Sequence, residues 1–109
     1  MNSVPTQHSI LLREKVLENR EKIADLAQRY GFKNLALFGS VARGDATVGS
    51  DIDLLVDYVD DYTFHDWGIV GFKVSLDDLL EVETDVVARA DIKDNRKEHI
   101  LNGQTIKVI

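Results

Sequence analysis

The chain has no cysteine, a single proline, a single tryptophan and a single methionine among its 109 residues. Without cysteine it can build neither a disulfide framework nor a thiolate zinc site, and it suits a reducing cytoplasm, the expected location. No apolar run approaches the roughly 20 residues of a membrane helix, and the basic-then-apolar layout of a signal peptide is missing. No membrane association is expected. Positive charge is also short: 13 basic residues stand against 19 acidic ones, a net charge of −6. Sequence-independent nucleic-acid binding relies on Lys and Arg neutralising phosphates, so no direct nucleic-acid binding is expected. An acidic surface is better suited to a basic protein partner. The length reads as one domain over residues 1–109, with room for a modest core.

The informative chemistry lies between residues 35 and 56. Leu35-Ala36-Leu37-Phe38 is a short apolar strand, and Gly39 ends it with a residue that permits tight turning and close backbone approach. Ser40 is placed to cap the short helix that follows, Ser40–Arg43, which Gly44 stops. A helix start of this kind leaves backbone N–H groups and a hydroxyl for an anion. After the polar loop Asp45–Ser50 come Asp51 and Asp53, two residues apart at the head of the strand Ile52–Tyr58. In extended backbone alternate residues share a face, so both acids project together while Ile52, Leu54 and Val56 point to the core. Carboxylates held that close repel. A divalent cation cancels the repulsion, and Mg²⁺ suits it, since it binds through a few carboxylates plus substrate phosphates.

The rest of the chain supplies the frame. Residues 1–8 are expected to be a loose start, and residues 9–30 one amphipathic helix with Leu12, Val16, Ile23, Leu26, Ala27 and Tyr30 on its apolar stripe. In that helix the stem of Arg20 would lie along the core edge and Gly31 would be the C-cap. Residues 66–81 read as a further helix, weakened by Gly68 and Gly71, with Trp67 packing in the core. Thr84–Ala88 is a third strand, residues 94–102 a last helix, and Thr105–Ile109 an edge strand or docking segment. The three histidines show no metal-ligand spacing, and Tyr58 and Tyr62 are expected to pack. The order implies an α/β (α+β) fold: a small mixed sheet flanked by helices.

The combined pattern of Gly39-Ser40, Ala42-Arg43-Gly44 and Asp51-x-Asp53 resembles the signature of the polymerase-β-type nucleotidyltransferase superfamily, in its short form, the minimal nucleotidyltransferases. The resemblance covers about residues 10–102. It implies a third acid on a later strand; Asp85 is preferred, with Glu83 as the rival, expected on the opposite face. It implies catalysis and metal binding by Asp51, Asp53 and Asp85, with two Mg²⁺ ions (Mn²⁺ as the alternative), and nucleotide binding by Gly39, Ser40 and Arg43. Ser50 completes that set and is also placed to orient the Asp51 turn, while Arg43 has an alternative as a surface ion pair with Asp45. Short members of this family resemble the antitoxin halves of two-gene modules whose other half is a HEPN-domain ribonuclease toxin. That implies transfer of AMP from ATP to a tyrosine hydroxyl of the toxin, within a hetero-oligomer. Two rivals stand beside it: an antitoxin that acts by contact alone, and a small-molecule nucleotidyltransferase of the antibiotic-modifying kind.

Overall fold

The computed structural model describes residues 4–60, 65–93, 95–96, 100 and 103–109. Expectations placed on Tyr62, the side chains of His65 and Trp67, and His99 lie outside what is described. Where a loose start through residue 8 is expected, α1 already begins at Gln7 and runs to Glu18. Thr6 is the reason. Its hydroxyl accepts from the Ser9 N–H at 3.1 Å, capping the helix, and donates to the Ala46 carbonyl at 2.6 Å. Its own N–H donates to the Gly44 carbonyl at 2.7 Å, so the segment is tied to the loop after α3 (Gly39–Arg43).

The single helix expected over residues 9–30 is two. α1 ends at Asn19, whose backbone (φ −98°, ψ 12°) leaves the helical region and whose side-chain amide donates to the Lys15 carbonyl at 2.8 Å. α2 then runs from Arg20 to Tyr30. An unbroken helix would carry Arg20 one turn past Val16, into the stripe. The break at Asn19 turns Arg20 outward, so it is exposed and its stem does not line the core, while Val16 and Ile23 are both fully buried.

Four strands form one mixed sheet in the order β3-β2-β1-β4. β1 (Phe32–Phe38) pairs antiparallel with β2 (Ile52–Tyr58) and with the edge strand β4 (Ile106–Lys107); β2 pairs parallel with β3 (Thr84–Ala88). β1 starts three residues before the apolar run because Lys33 and Asn34 sit in an irregularity of the ladder, with Asn34 at φ +54°. α4 (His65–Leu80) fills the crossover between β2 and β3. Its glycine at 71 is a contact rather than a weakness: a Cβ there would stand 2.6 Å from the Tyr30 ring, so the residue lets α4 close on α2. After a 3-10 turn at Arg89–Asp91, backbone is helical at Asn95, Arg96 and Ile100; the remaining positions of the expected last helix lie outside the described residues.

Alternation divides the sheet. Leu35, Leu37, Ile52, Leu54 and Val56 join Val16, Ile23, Phe72, Leu76 and Leu80 in one buried cluster between sheet and helices. Ala36 and Leu55 are buried too, but stand outside that cluster on the other face, as do Phe38, Asp53 and Asp85 by alternation. Among the described residues no helix is long and apolar enough to cross a membrane.

α3 is too short to be stable alone, and α1 holds it. Arg13 donates from Nε to the Val41 carbonyl and from Nη2 to the Ala42 carbonyl, both at 2.9 Å. These are carbonyls of the last turn, which have no partner within a helix. Hydrogen bonds from a charged group contribute roughly 1.5–3 kcal/mol, so Arg13→Met is expected to lower the unfolding free energy by about that much, seen as a lower urea midpoint. An unchanged midpoint would show that α3 stands without this cap.

Candidate active site

β1 delivers the chain to the site in extended form at Phe38, and Gly39 (φ +69°) turns it into α3. A Cβ added to Gly39 would lie 2.1 Å from Asp53 Oδ2 and 3.0 Å from its Cγ. No side chain fits there. The Asp53 carboxylate fills the place that any other residue at position 39 would occupy, and positive φ disfavours such a residue as well. In register, Asp53 lies opposite Phe38 on β1 and beside Asp85 on β3. Asp51, one residue before β2, is exposed, and so is Asp85.

Electrostatics confirm the gathering of these acids. The Asp53 carboxyl is pushed up to about 6, first by burial and then by the negative charges of Asp85 and Asp51, with Arg43 opposing. Arg43 also has its expected surface contact, Nε lying 3.3 Å from Asp45 Oδ2 with both side chains more than half exposed. This is the surface ion pair expected as the alternative for Arg43, and the residue also lines a hollow beside Asp53. Such an exposed pair contributes only about 0–1 kcal/mol, too little to tie Arg43 down.

Ser40 sits differently from expectation, whereas Ser50 is placed to orient the Asp51 turn as expected. Ser40 does not cap α3; Phe38 occupies the cap position without a side-chain bond, and Ser40 is the second helical residue. Its carbonyl accepts from the N–H groups of Gly44 (2.9 Å) and Asp45 (3.0 Å). The Ser50 hydroxyl accepts from the Thr47 N–H at 2.9 Å, and the Ser50 N–H donates to the Thr47 carbonyl at 3.0 Å. Ser50 thus closes the turn that presents Asp51.

Glu83 is two residues from Asp85, which along extended chain favours the same side, not the opposite one. Its separation from the site has another cause. It precedes β3, is 70 % exposed, and reaches toward Lys73 Nζ at 3.7 Å, whereas Asp85 is the strand partner of Asp53.

Two adjoining hollows flank Asp53. One, of about 330 Å³, includes Gly39, Ser40, Arg43 and Gln104; the other, of about 500 Å³, includes Asp85, Asp91, Lys93 and Asn95. Phe38, Asp53, Arg96 and Ile100 border both. Arg96 and Lys93 were not legible as site residues, because nothing in their local pattern marks them; only the fold brings residues after β3 back over the sheet. Tyr58, expected to pack, lies 5.6 Å from the Phe32 ring centroid and donates its hydroxyl to Asp91.

The chemistry of the donor set suits a divalent cation. Asp51, Asp53 and Asp85 offer oxygen only, and their mutual repulsion at Asp53 is what a cation relieves. The residues fit. Among the described residues no three such groups already converge on one point, so joint ligation would require the exposed Asp51 and Asp85 side chains to move.

A family model described as a nucleotidyltransferase domain matches residues 19–106. The chain belongs to this family. It is 33 % identical over 79 residues to a Methanocaldococcus jannaschii protein named provisionally as a protein adenylyltransferase, covering 72 % of this chain and 76 % of that one. It is 28 % identical over 88 residues to the protein adenylyltransferase MntA of Thermococcus cleftensis, covering 81 % and 85 % of the two chains. A solved structure described provisionally as a minimal nucleotidyltransferase superposes with a TM-score of 0.69 at 33 % identity, over 84 % of this nucleotidyltransferase and 91 % of that chain. The same fold occurs at 19 % identity (TM-score 0.61, 86 % and 71 % covered) in a structure of tri-AMPylated Shewanella oneidensis HEPN toxin with MNT antitoxin.

The raised Asp53 carboxyl has a signed consequence for stability. Between the ordinary value of 3.8 and about 6, the folded nucleotidyltransferase holds a proton there that an unfolded chain has released. The contribution of this group therefore favours folding at low pH and is lost as pH rises through about 6. In metal-free buffer, Asp53→Asn is expected to match the parent near pH 4 and to exceed its urea midpoint above pH 6. A variant less stable at every pH would place Asp53 in a structural network instead.

Proposed function

We propose that this nucleotidyltransferase is an antitoxin that transfers AMP from ATP to a tyrosine hydroxyl of a partner HEPN-type ribonuclease toxin. The observation that carries the reading is the register of Asp53 with Asp85, against a Gly39 turn that leaves no room for a side chain. Acids, phosphate cradle and acceptor side then follow one another across the sheet face. The names of its relatives, protein adenylyltransferases, support AMP as the transferred group. The neighbouring fold in a toxin–antitoxin structure with AMP-PNP supports ATP as donor and a toxin as acceptor.

In the reaction, the acceptor oxygen bonds to the α-phosphorus, the bond from that phosphorus to the bridging oxygen breaks, and pyrophosphate leaves. Two divalent cations, Mg²⁺ or Mn²⁺, held by Asp51, Asp53 and Asp85, would supply charge neutralisation for the attacking and leaving oxygens. Backbone N–H groups at the start of α3, with Ser40, hold the terminal phosphates, and Arg43 adds positive charge on the leaving side. Asp85, exposed on the larger hollow, faces the acceptor and takes part in removing its proton. Gly39 keeps the cradle within reach of Asp53.

Co-expression with the partner toxin, purification of the toxin, intact-mass measurement and an RNA-cleavage assay test the reading. The expected result is toxin carrying one or more AMP groups on tyrosine, inactive after separation. Asp53→Asn and Gly39→Ala should both abolish the mass increase, whereas Ser40→Ala should retain part of it because the backbone donors remain. Unmodified toxin, inhibited only while bound, would replace transfer with neutralisation by contact.

A further inference from the structure

The last turn of α4 carries Asp77 and Asp78 and no basic residue. Acids at a helix C-terminus oppose the macrodipole, so Asp77 calls for a compensating role. Its contacts supply one. Asp77 Oδ1 accepts from both the N–H and the hydroxyl of Thr84, each at 2.7 Å, and Oδ2 accepts from Lys73 Nζ at 2.8 Å. Thr84 is fully buried, pairs in register with Ile52, and immediately precedes Asp85. Ile52, in turn, separates Asp51 from Asp53, and its N–H donates to the Glu83 carbonyl at 3.0 Å. The carboxylate therefore fixes the first residue of β3 at the level where β2 presents its acids.

Lys73 ties the other flank. Its ammonium is held above its ordinary value chiefly by the hydrogen bond to Asp77, against burial, with further support from the charges of Asp77, Glu83 and Asp51. Burial pushes the Asp77 carboxyl up, but the bonds from Lys73 and Thr84 outweigh it and hold that group low. Lys73 thus stands within the field of the first acid of the motif while bonded to the carboxylate that anchors the third.

We infer that Lys73, Asp77 and Thr84 form a positioning clamp that holds Asp85 of β3 in place beside Asp53 of β2, and so prepares the acids for a divalent cation. The clamp touches neither substrate nor reacting atoms; it acts through Thr84 and through Lys73. The inference rests on the metal-binding reading above and adds to it residues that lie outside the motif.

The sign of one substitution separates a clamp from a bystander charge. If Lys73 acted only as a positive charge near the acids, Lys73→Met would tighten cation binding by removing repulsion. If it holds the clamp, Lys73→Met loosens binding. Mn²⁺ binding to the full chain without nucleotide, followed by calorimetry or by the electron spin resonance of free Mn²⁺, reads this directly. Supporting partners of metal ligands typically contribute 10–100-fold in affinity, and a loss of roughly that size is expected for Lys73→Met and for Asp77→Ala. Thr84→Ser, which keeps the hydroxyl, should stay within about twofold of wild type. The control is Asp57→Asn, which breaks the 3.2 Å pair with Arg89 at the far end of β2 and should lower stability while leaving Mn²⁺ affinity unchanged. Should Asp77→Ala not fold, the half-exposed Lys73 still decides. Folded Lys73→Met that binds Mn²⁺ as tightly as wild type, or more tightly, overturns the clamp alone. Wild type that binds no Mn²⁺ removes the metal reading and this inference with it.

Discussion

One steric constraint organises the site: the Asp53 carboxylate occupies the volume where residue 39 would have its side chain. The β1–α3 turn and β2 can approach that closely only because residue 39 is glycine. Everything around the turn keeps that approach in place. Arg13 caps the last carbonyls of α3, and Thr6 and Ser9 hold the loop beyond it through Gly44 and Ala46. α1 is thus the backing of the Gly39–Arg43 turn, although its residues show no motif.

Charge is distributed on the same logic. At the far end of β2, Asp57 accepts from Asn34 at 2.9 Å and lies 3.2 Å from Arg89 Nη1, and these bonds outweigh burial and hold its carboxyl low. At the near end Asp77 is held low by Lys73 and Thr84. Asp53 lies between them and moves the other way, up to about 6. Acids that serve the frame are paired; Asp53 is raised first by burial and then by the charges of Asp85 and Asp51, with the exposed Arg43 opposing.

The motif and the strands Ile52–Tyr58 and Thr84–Ala88 were legible because short-range chemistry decides them: alternation, β-branching and a glycine turn. Where long-range contacts decide, sequence reasoning went astray. The break at Asn19 depends on where Arg20 would fall against the sheet, and Ser40 loses its capping role because α3 starts one residue earlier, at Gly39. Gly71 looked like a weak point of a helix and is instead the place where α4 meets Tyr30. Arg13 and Arg96 gave no local signal at all, since each matters through residues distant in the chain. For Asp77 a hint existed: an acid out of place in a final helical turn.

The sheet order adds a reason for preferring a large acceptor over a small one. β3 is an edge strand, so Asp85 stands at the rim of the sheet and not in its middle. The hollow beside Asp85 shares Phe38, Asp53, Arg96 and Ile100 with the one beside Ser40 and Arg43, so the two meet at Asp53. A donor seated against Gly39 and Ser40 would leave its α-phosphorus near Asp53, with pyrophosphate inward and the line of attack outward past Asp85. In-line displacement requires the incoming oxygen on that outward line. A hydroxyl carried on a protein surface can reach an exposed rim without entering a pocket, and needs no second domain of the enzyme to hold it. On the proposed reading, an acceptor hydroxyl would approach Asp85 from this rim of the sheet.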